Sequence, residues 1–459
     1  MSSHVQESYY VVPARVDRIF DRFDVLCVIA LALCFIVTSQ LSFGASKFSD
    51  MYFHTEAKAL SQAVRGYGSW KDVSFARAPG PVLYYGVPYM LVQPDARDDA
   101  YWRAGFIWNA FWMLCALLLI RRTAELFWNA TAGKIAALLF LLTPFAVYYS
   151  FGISGETPAY VAAVLFLFGW AKYRAKPAAE NQLGAVAIAL LGLIGMLLCR
   201  PNAALVLGFA GVCAGALWFQ RRIRDSSDAK FAAICLIVVS AAMLLVAGAL
   251  RHLKGGNRVT SQASNFSDVA FFGSFQFRTE PWDWRFWGKA TRDGSVDYQN
   301  WLQTRSELQS QAAKQGVALS TLELHWTLRD MIQHPALRAK MVAVRVLALN
   351  IWLENSKKAA KFAVGPLRGL YGYVVFHMLL NALVFLTLVG SIWLLVHDRG
   401  EITTYWPLWA PWLGLLLFHA LTYAEPRYML PGVPGLTVMA ACALAGRRFD
   451  SPSRLVAQD

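Results

Sequence analysis

The chain has 459 residues, of which 57% are hydrophobic and only 16% are charged. This composition excludes an ordinary soluble domain, in which about 25% of residues are charged, and indicates a membrane protein. The formal net charge of +14 comes from 43 Lys and Arg against 29 Asp and Glu. Because the basic residues cluster beside apolar segments, this charge favours contact with anionic membrane lipids and gives no support for nucleic acid binding.

About ten apolar segments approach the roughly 20 residues that a helix needs to cross the hydrocarbon core. Lipid offers no partner to an unpaired backbone group, so such segments must be helical. They cover residues 25–43, 101–120, 133–149, 157–173, 183–199, 203–219, 229–250, 371–396, 406–423 and 429–444. The sequence therefore predicts an all-α multi-pass membrane protein with about ten transmembrane helices.

The basic residues predict the orientation, because they fall at every second junction between these segments. They are Arg15, Arg18, Arg22, Arg121, Arg122, Lys172, Arg174, Lys176, Arg221, Arg222, Arg224, Arg399, Arg447, Arg448 and Arg454. Positive residues favour the cytoplasmic side, so both termini are expected there.

This topology divides the chain into five parts. We expect a cytoplasmic tail over residues 1–24, a first transmembrane module over 25–250, a periplasmic insertion over 251–370, C-terminal transmembrane helices over 371–446 and a second cytoplasmic tail over 447–459. The first module contains an external loop, residues 44–100. This loop and the insertion are expected to form a periplasmic cap.

The external loop contains an apolar segment, Val82 to Val92, that is too short to span a bilayer. It is interpreted as a helix lying along the membrane surface, with Tyr84 and Tyr85 at the depth of the headgroups. His54 lies four residues after Asp50 in the same loop. A metal site there is an alternative, but a hydrogen-bonding histidine is the default interpretation, and no metal is predicted.

The insertion shows helix signals and many tryptophans. Ser320 followed by Glu323 is a capping-box pattern, and the helix that it begins should end before Pro335. Residues 341–353 are apolar around Arg345 and are interpreted as a second surface-lying helix. The tryptophans, among them Trp301 and Trp326, either stack on sugar rings or anchor the insertion at the interface, and the second interpretation is favoured.

Four short motifs follow one another at the predicted external positions. They are Ser49-Asp50-Met51-Tyr52, Arg77-Ala78-Pro79-Gly80-Pro81, Gly155-Glu156-Thr157-Pro158 and Glu425-Pro426-Arg427-Tyr428-Met429-Leu430-Pro431. With this order and topology, the chain resembles membrane glycosyltransferases of the GT-C superfamily. The likeness is to the bacterial branch similar to protein O-mannosyltransferases and lipid A aminoarabinose transferases. Many relatives carry Glu directly after the first Asp, whereas this chain has Met51.

The resemblance implies an inverting transfer of a sugar from a polyprenyl-phosphate donor to a glycan, lipid or protein acceptor on the periplasmic face, without a cofactor. Such a reaction needs a carboxylate as general base, which Asp50 would supply. It also needs cations for the phosphate leaving group. Arg427 fits that need, and the further candidate substrate contacts are Arg77, Arg103, Arg200, Tyr428, His54, Tyr84 and Tyr85.

Each of these residues also has an ordinary structural interpretation. Glu156 either takes part in the site, by orienting the acceptor or a cationic group, or only caps the helix that follows it. Asp50 could be a plain loop acid. Arg427 could instead reach lipid headgroups or pair with Glu425, and Arg200 has the same ambiguity.

Two other functions remain open at this point. A flippase or transporter of lipid-linked sugars also needs about ten spans, but such proteins tend to carry ionisable residues near mid-membrane. In this chain the spans are nearly free of charge, and the polar groups collect at one surface. A ligase or polymerase that joins whole glycans is the second alternative, and only the Asp50 motif argues against it.

Overall fold

The structure, a computed structural model, describes residues 21–41, 51–73, 75, 78–142, 152–175, 182–200, 227–253, 262–281, 283, 292–351, 385–397, 405–424 and 426–446. Every regular element in these ranges is a helix and no strand occurs there, as the predicted all-α class requires. Asp50, Arg77 and the predicted span 203–219 lie outside the described residues.

The helices of the described ranges are numbered in chain order. They are α1 (Arg22–Leu41), α2 (Met51–Val64), α3 (Pro79–Tyr89), α4 (Asp98–Phe127), α5 (Ala130–Leu142), α6 (Glu156–Ala175), α7 (Leu183–Cys199), α8 (Ser227–Leu253), α9 (Gln262–Gly273), α10 (Val296–Gln315), α11 (Leu319–Gln333), α12 (Pro335–Ile351), α13 (Phe385–His397), α14 (Trp406–Leu421) and α15 (Val433–Leu444). Short 3-10 helices cover Trp70–Asp72, Arg292–Gly294 and Pro426–Gly432.

Several predicted spans reappear as helices with nearly the predicted bounds, and α7 coincides with the predicted span 183–199. Judged by length and composition within the described ranges, α4 alone is both long and apolar enough to cross a membrane. Other apolar helical segments are shorter, with 10–17 residues: α5, α7, residues 230–246, α13, α14 and residues 428–444. The number of spans and the external cap therefore remain predictions.

The last predicted span begins differently from the expectation. Residues 429–432 belong to the 3-10 helix Pro426–Gly432, and the α-helix begins only at Val433. Pro431 and Pro434 lie at this junction, and a proline lacks the amide hydrogen that an α-helix needs beyond its first turn. Tyr428 therefore lies in the short 3-10 helix between α14 and α15.

Among the described helices, α6 and α7 pack against each other most extensively, and small residues line their contact. A Cβ atom on Gly192 would lie 2.3 Å from the backbone nitrogen of Phe166, and one on Gly169 would lie 2.4 Å from that of Ala189. The two backbones therefore touch, as in membrane helix pairs with small residues at the crossing. This contact fixes the start of α6 beside the end of α7.

Charged side chains gather at two opposite ends of the bundle. Arg121, near the end of α4, is buried and pairs with Asp21 and Asp24 at the start of α1. The last turn of α6 lies at the same end, since Arg174 is 5.9 Å from the ring of Phe127. Because α6 has 20 residues, its first residue lies about 30 Å away, at the other end.

The insertion is built on an aromatic core. Trp326 stacks on Phe275 with ring centroids 4.9 Å apart, and the edge of Phe271 packs against the same indole at 5.2 Å. Trp301 is only 8% exposed and contacts Phe272. Trp301 and Trp326 therefore pack against other aromatic residues of the insertion, and their predicted roles in sugar stacking or interfacial anchoring stay predictions.

One prediction about the insertion helices is wrong. Ser320 does not begin a capping box, because α11 begins at Leu319 with Ala318 as its N-cap, while Glu323 pairs with Arg305 at 3.3 Å. The predicted end before Pro335 is confirmed. Most of the predicted surface helix, residues 341–353, falls within α12, which packs on α14 with Arg345 only 1% exposed. Its position along a membrane surface stays a prediction.

Candidate functional site

The candidate site lies where the start of α3 meets the end of α7. Pro79 is the first residue of α3, a position where a fixed φ angle and a missing amide hydrogen carry no cost. A Cβ atom on Gly80 would lie 2.8 Å from the backbone nitrogen of Cys199. Only glycine permits this approach, so the motif that begins with Arg77 leads directly to the end of α7.

Glu156 and Arg200 form an ion pair across this junction. Glu156 is the first residue of α6 and only 4% exposed, and Arg200 follows the last residue of α7. The Nη2 atom of Arg200 donates to Oε1 of Glu156. The carboxylate lies at the positive end of the α6 dipole, which also favours its negative charge. Of the two predicted site roles for Glu156, the geometry suits the orientation of a cation.

Tyr428 covers the other side of Arg200. The guanidinium carbon of Arg200 lies 4.6 Å from the centroid of the Tyr428 ring, within cation–π distance. Among the described residues, Glu156 is the one hydrogen-bond partner of the Arg200 side chain, so its Nε and Nη1 atoms keep donors for a further ligand. Arg427 lies in the same 3-10 helix as Tyr428.

The ring of His419 packs against that of Tyr428. Its ring centroid lies 4.7 Å from that of Tyr428, and its Nδ1 atom is 3.0 Å from the carbonyl oxygen of Tyr423. The side chain is 2% exposed. Sequence reasoning did not select His419, because a lone histidine in an apolar segment has no motif around it.

The Asp50 motif approaches the same place through Phe53. Phe53 lies in the first turn of α2, three residues after Asp50, and is 8% exposed. A Cβ atom on Gly155 would lie 3.5 Å from the ring of Phe53 and 3.5 Å from Pro81. Described residues of the other three motifs, and Phe53 directly after the Asp50 motif, therefore meet at one end of the bundle.

Tyr85 is fully buried and holds the segment that leads into α6. Its hydroxyl oxygen donates to the carbonyl of Ser154 and accepts from the amide of Ser154, both at 3.1 Å. Burial raises the pKa of Tyr85 well above its usual value. Because the hydroxyl is used within the protein, we omit Tyr85 from the proposed substrate contacts.

Tyr84 and Arg103 are two further candidates from the sequence. The hydroxyl of Tyr84 is buried without a hydrogen-bond partner in the described residues, and its ring contacts Trp108 at 6.1 Å. Burial raises the pKa of Tyr84 well above its usual value, so the hydroxyl stays protonated and can donate. Arg103 is exposed on the first turns of α4.

His54 lies in a second buried cluster between α2 and α4. Its Nδ1 atom is 2.9 Å from the hydroxyl of Tyr89, and its ring stacks on Trp102 at 3.9 Å. Its Nε2 atom is 3.6 Å from Asp98, too far for a hydrogen bond. Burial lowers the pKa of His54 more than Asp98 raises it. We therefore omit His54 from the proposed substrate contacts too. In the described ranges no three His, Cys, Asp or Glu side chains could hold a metal.

No model of a known protein family matches the chain, and no curated protein matches it in sequence. Three solved structures illustrate the likeness. The oligosaccharyltransferase of Archaeoglobus fulgidus tethered with an acceptor peptide matches 91% of this chain and 49% of its own, at 10% identity and a TM-score of 0.47. AglB from the same organism, in complex with an inhibitory peptide and a dolichol-phosphate, matches 95% and 54%, at 11% identity and 0.48. ArnT from Cupriavidus metallidurans bound to undecaprenyl phosphate matches 92% and 76%, at 12% identity and 0.37.

These solved structures are GT-C glycosyltransferases, the class that the four motifs resemble. The chain spans about half the length of the two oligosaccharyltransferase chains, 49% and 54%. With identities near one tenth and TM-scores below 0.5, the likeness determines neither the activity nor the substrate of this chain.

Proposed function

We propose that the chain is an integral glycosyltransferase of the bacterial inner membrane. It transfers a sugar from a polyprenyl-phosphate donor to an acceptor hydroxyl at the periplasmic face, with inversion of the anomeric carbon. The observation that carries this proposal is the position of Arg200, held between Glu156 and the ring of Tyr428. A cation fixed in this way suits a phosphate leaving group, whose negative charge grows during the reaction.

In the proposed reaction Asp50 accepts the proton of the acceptor hydroxyl while the acceptor oxygen attacks the anomeric carbon. The bond between that carbon and the donor phosphate oxygen breaks, and polyprenyl phosphate leaves with the electron pair. Attack opposite the leaving group inverts the carbon. Phe53 supports this assignment, because its contact with Gly155 brings the start of α2 to the pair formed by Glu156 and Arg200.

Arg200 and Arg427 are the proposed phosphate contacts. Arg200 retains donors at Nε and Nη1, and the planar guanidinium can bind two phosphate oxygens at once. Arg427 adjoins Tyr428, which contacts Arg200. Arg77 is a third candidate, since it precedes the residues that contact Cys199. Arg103 is not a proposed phosphate contact, because it is exposed on α4. Glu156 orients Arg200 in the proposed site.

The biological test compares cell envelopes with and without the gene, using mass spectrometry of glycans and lipid-linked sugars. We expect one sugar to be missing from a glycan, lipid or protein, and its carrier-linked form to accumulate. Asp50→Asn should fail to restore the modification at normal protein levels. Asp72→Asn, which changes an exposed acid of the same loop, should restore it. Restoration by Asp50→Asn would remove the general-base assignment.

A purified-protein assay separates transfer from the alternatives. Protein in vesicles should release polyprenyl phosphate as the acceptor gains the sugar. Movement of the lipid-linked sugar across the bilayer without transfer would support a flippase, and transfer of a whole preformed glycan would support a ligase. Arg427→Ala should raise the donor KM, whereas Arg329→Ala, at an exposed position of α11, should not.

A further inference from the structure

A short segment between α14 and the 3-10 helix positions Tyr428. We name it the C-terminal loop (Thr422–Ala424). Gln276, which follows α9 in the insertion, is fully buried and binds both backbone groups of Ala424. Its Nε2 atom donates to the Ala424 carbonyl at 2.8 Å, and its Oε1 atom accepts from the Ala424 amide at 2.8 Å. Gln276 thus satisfies both the amide and the carbonyl of Ala424, which lie outside any regular helix.

Arg345 fixes the two helix ends on either side of this contact. Its Nη1 atom donates to the carbonyl of Ala420 at 3.2 Å, in the last turn of α14. Its Nη2 atom donates to the carbonyl of Gly273, the last residue of α9, and to that of Gln276 at 3.3 Å. In the described residues no carboxylate pairs with Arg345. The negative ends of two helix dipoles meet its positive charge instead.

The insertion approaches the C-terminal loop too closely for any side chain at Gly273. A Cβ atom there would lie 1.8 Å from the carbonyl oxygen of Thr422. Phe272, the preceding residue, packs its ring 5.2 Å from that of Tyr423. Insertion residues therefore contact every residue of the C-terminal loop.

The C-terminal loop leads within four residues to Tyr428, and Tyr428 contacts Arg200. We propose that Gln276 is a positioning residue for the phosphate side of the site, and that Arg345 holds α9 and α14 where Gln276 can reach Ala424. Through these contacts, docking of the insertion sets the place of Tyr428 and so of the Arg200 guanidinium. This inference rests on the proposed function, in which Arg200 and Arg427 bind the phosphate of the donor.

The test uses Gln276→Met in the full-length protein, because methionine keeps the length of the side chain and removes both hydrogen bonds. We expect the dissociation constant of undecaprenyl phosphate and the donor KM to rise about tenfold, since two net hydrogen bonds of ordinary strength are lost. The kcat and the acceptor KM should stay near their native values. Hydrogen exchange should accelerate in residues 419–432.

Two further variants make the result specific. Gln276→Glu keeps the acceptor for the Ala424 amide, so its dissociation constant should lie between those of the native protein and Gln276→Met. Gln299→Met removes a hydrogen bond to the carbonyl of Asp293, elsewhere in the insertion, and should behave as native. If Gln276→Met does not fold, Gln276→Glu carries the test alone.

The outcomes separate this inference from the proposed function. Native lipid binding and native exchange in a folded Gln276 variant would overturn the positioning role, whatever the native protein catalyses. Faster exchange with unchanged lipid binding would also overturn it, because the C-terminal loop would then not control the phosphate side. A native protein that binds undecaprenyl phosphate but transfers no sugar would overturn the proposed reaction and leave the positioning of the lipid site standing.

Discussion

The guanidinium carbon of Arg200 lies 4.6 Å from the ring centroid of Tyr428, although 228 residues separate them in the chain. This contact joins the end of α7 to the 3-10 helix that also carries Arg427. Glu156 binds Arg200 from the opposite side, so the cation has one fixed orientation. The arrangement leaves the remaining guanidinium donors for an anionic ligand.

The first prediction tests the aromatic side of this contact. Tyr428→Phe keeps a ring over Arg200 and should leave the donor KM near its native value. Tyr428→Leu should raise it about two- to fivefold, because a half-exposed cation–π contact contributes roughly 0.5–1 kcal/mol. Tyr67→Leu is the matched control, since Tyr67 lies 5.3 Å from the guanidinium of Arg65 at an exposed position. Equal KM values for Tyr428→Leu and Tyr428→Phe would argue against the contact.

The second prediction concerns the docking of the insertion on α14. Gly273→Ala places a methyl group 1.8 Å from the Thr422 carbonyl oxygen, so α9 or the C-terminal loop must shift. Strain of this kind costs about 1–3 kcal/mol. We expect a lower melting temperature in detergent and faster hydrogen exchange in residues 419–432. Gly294→Ala has no atom within 4 Å of its new methyl group and should melt like the native protein.

The sequence predicts the helices well because apolar runs are a local property. The predicted spans 157–173 and 183–199 correspond to α6 and α7 within a few residues. The meeting of Glu156 and Arg200 is also partly foreseeable, since each lies at an external end of its predicted span. Water and lipid headgroups are also available at such an end, so the sequence alone does not select this pair.

Contacts between distant polar groups could not be predicted in this way. Gln276 and Ala424 are 148 residues apart, and no sequence pattern around a glutamine indicates which backbone group its amide will bind. Arg345 did carry a signal, a charge within an apolar segment, but only tertiary packing shows that helix carbonyls surround it. Glu323 fits a local capping box, yet Arg305 from another helix attracts it more strongly.

The third prediction concerns the charge cluster of the insertion. Arg278 donates to Asp330 through both Nη atoms at 2.9 Å, and Arg338 pairs with the same carboxylate. Burial raises the pKa of Asp330, but the hydrogen bond from Arg278 and the charge of Arg338 outweigh it, so the pKa lies below its usual value. Asp330→Asn should destabilise the insertion by about 3–5 kcal/mol, because two arginines lose their counter-charge.

Limited proteolysis with trypsin is the measurement for Asp330→Asn. We expect rapid cleavage within α11 and α12 while fragments from outside the insertion persist. Asp293→Asn replaces an exposed acid in the same insertion and should be cleaved as slowly as the native protein. Native resistance of Asp330→Asn would mean that the two arginines do not depend on this carboxylate.

The fourth prediction follows from the buried histidine of α2. Because burial lowers the pKa of His54 below its ordinary value of 6.5, the folded protein resists the proton that the unfolded chain accepts. His54 therefore contributes no penalty above pH 6.5, and stability falls as the pH drops from 6.5 towards the lowered folded pKa. Each unit by which the pKa of His54 is lowered corresponds to at most about 1.4 kcal/mol of unfolding free energy.

Melting temperatures between pH 7.5 and 5 should decline in the native protein and decline less in His54→Gln. His334→Gln changes an exposed histidine and should retain the native slope, and an equally steep decline in His54→Gln would assign the acid sensitivity to another group.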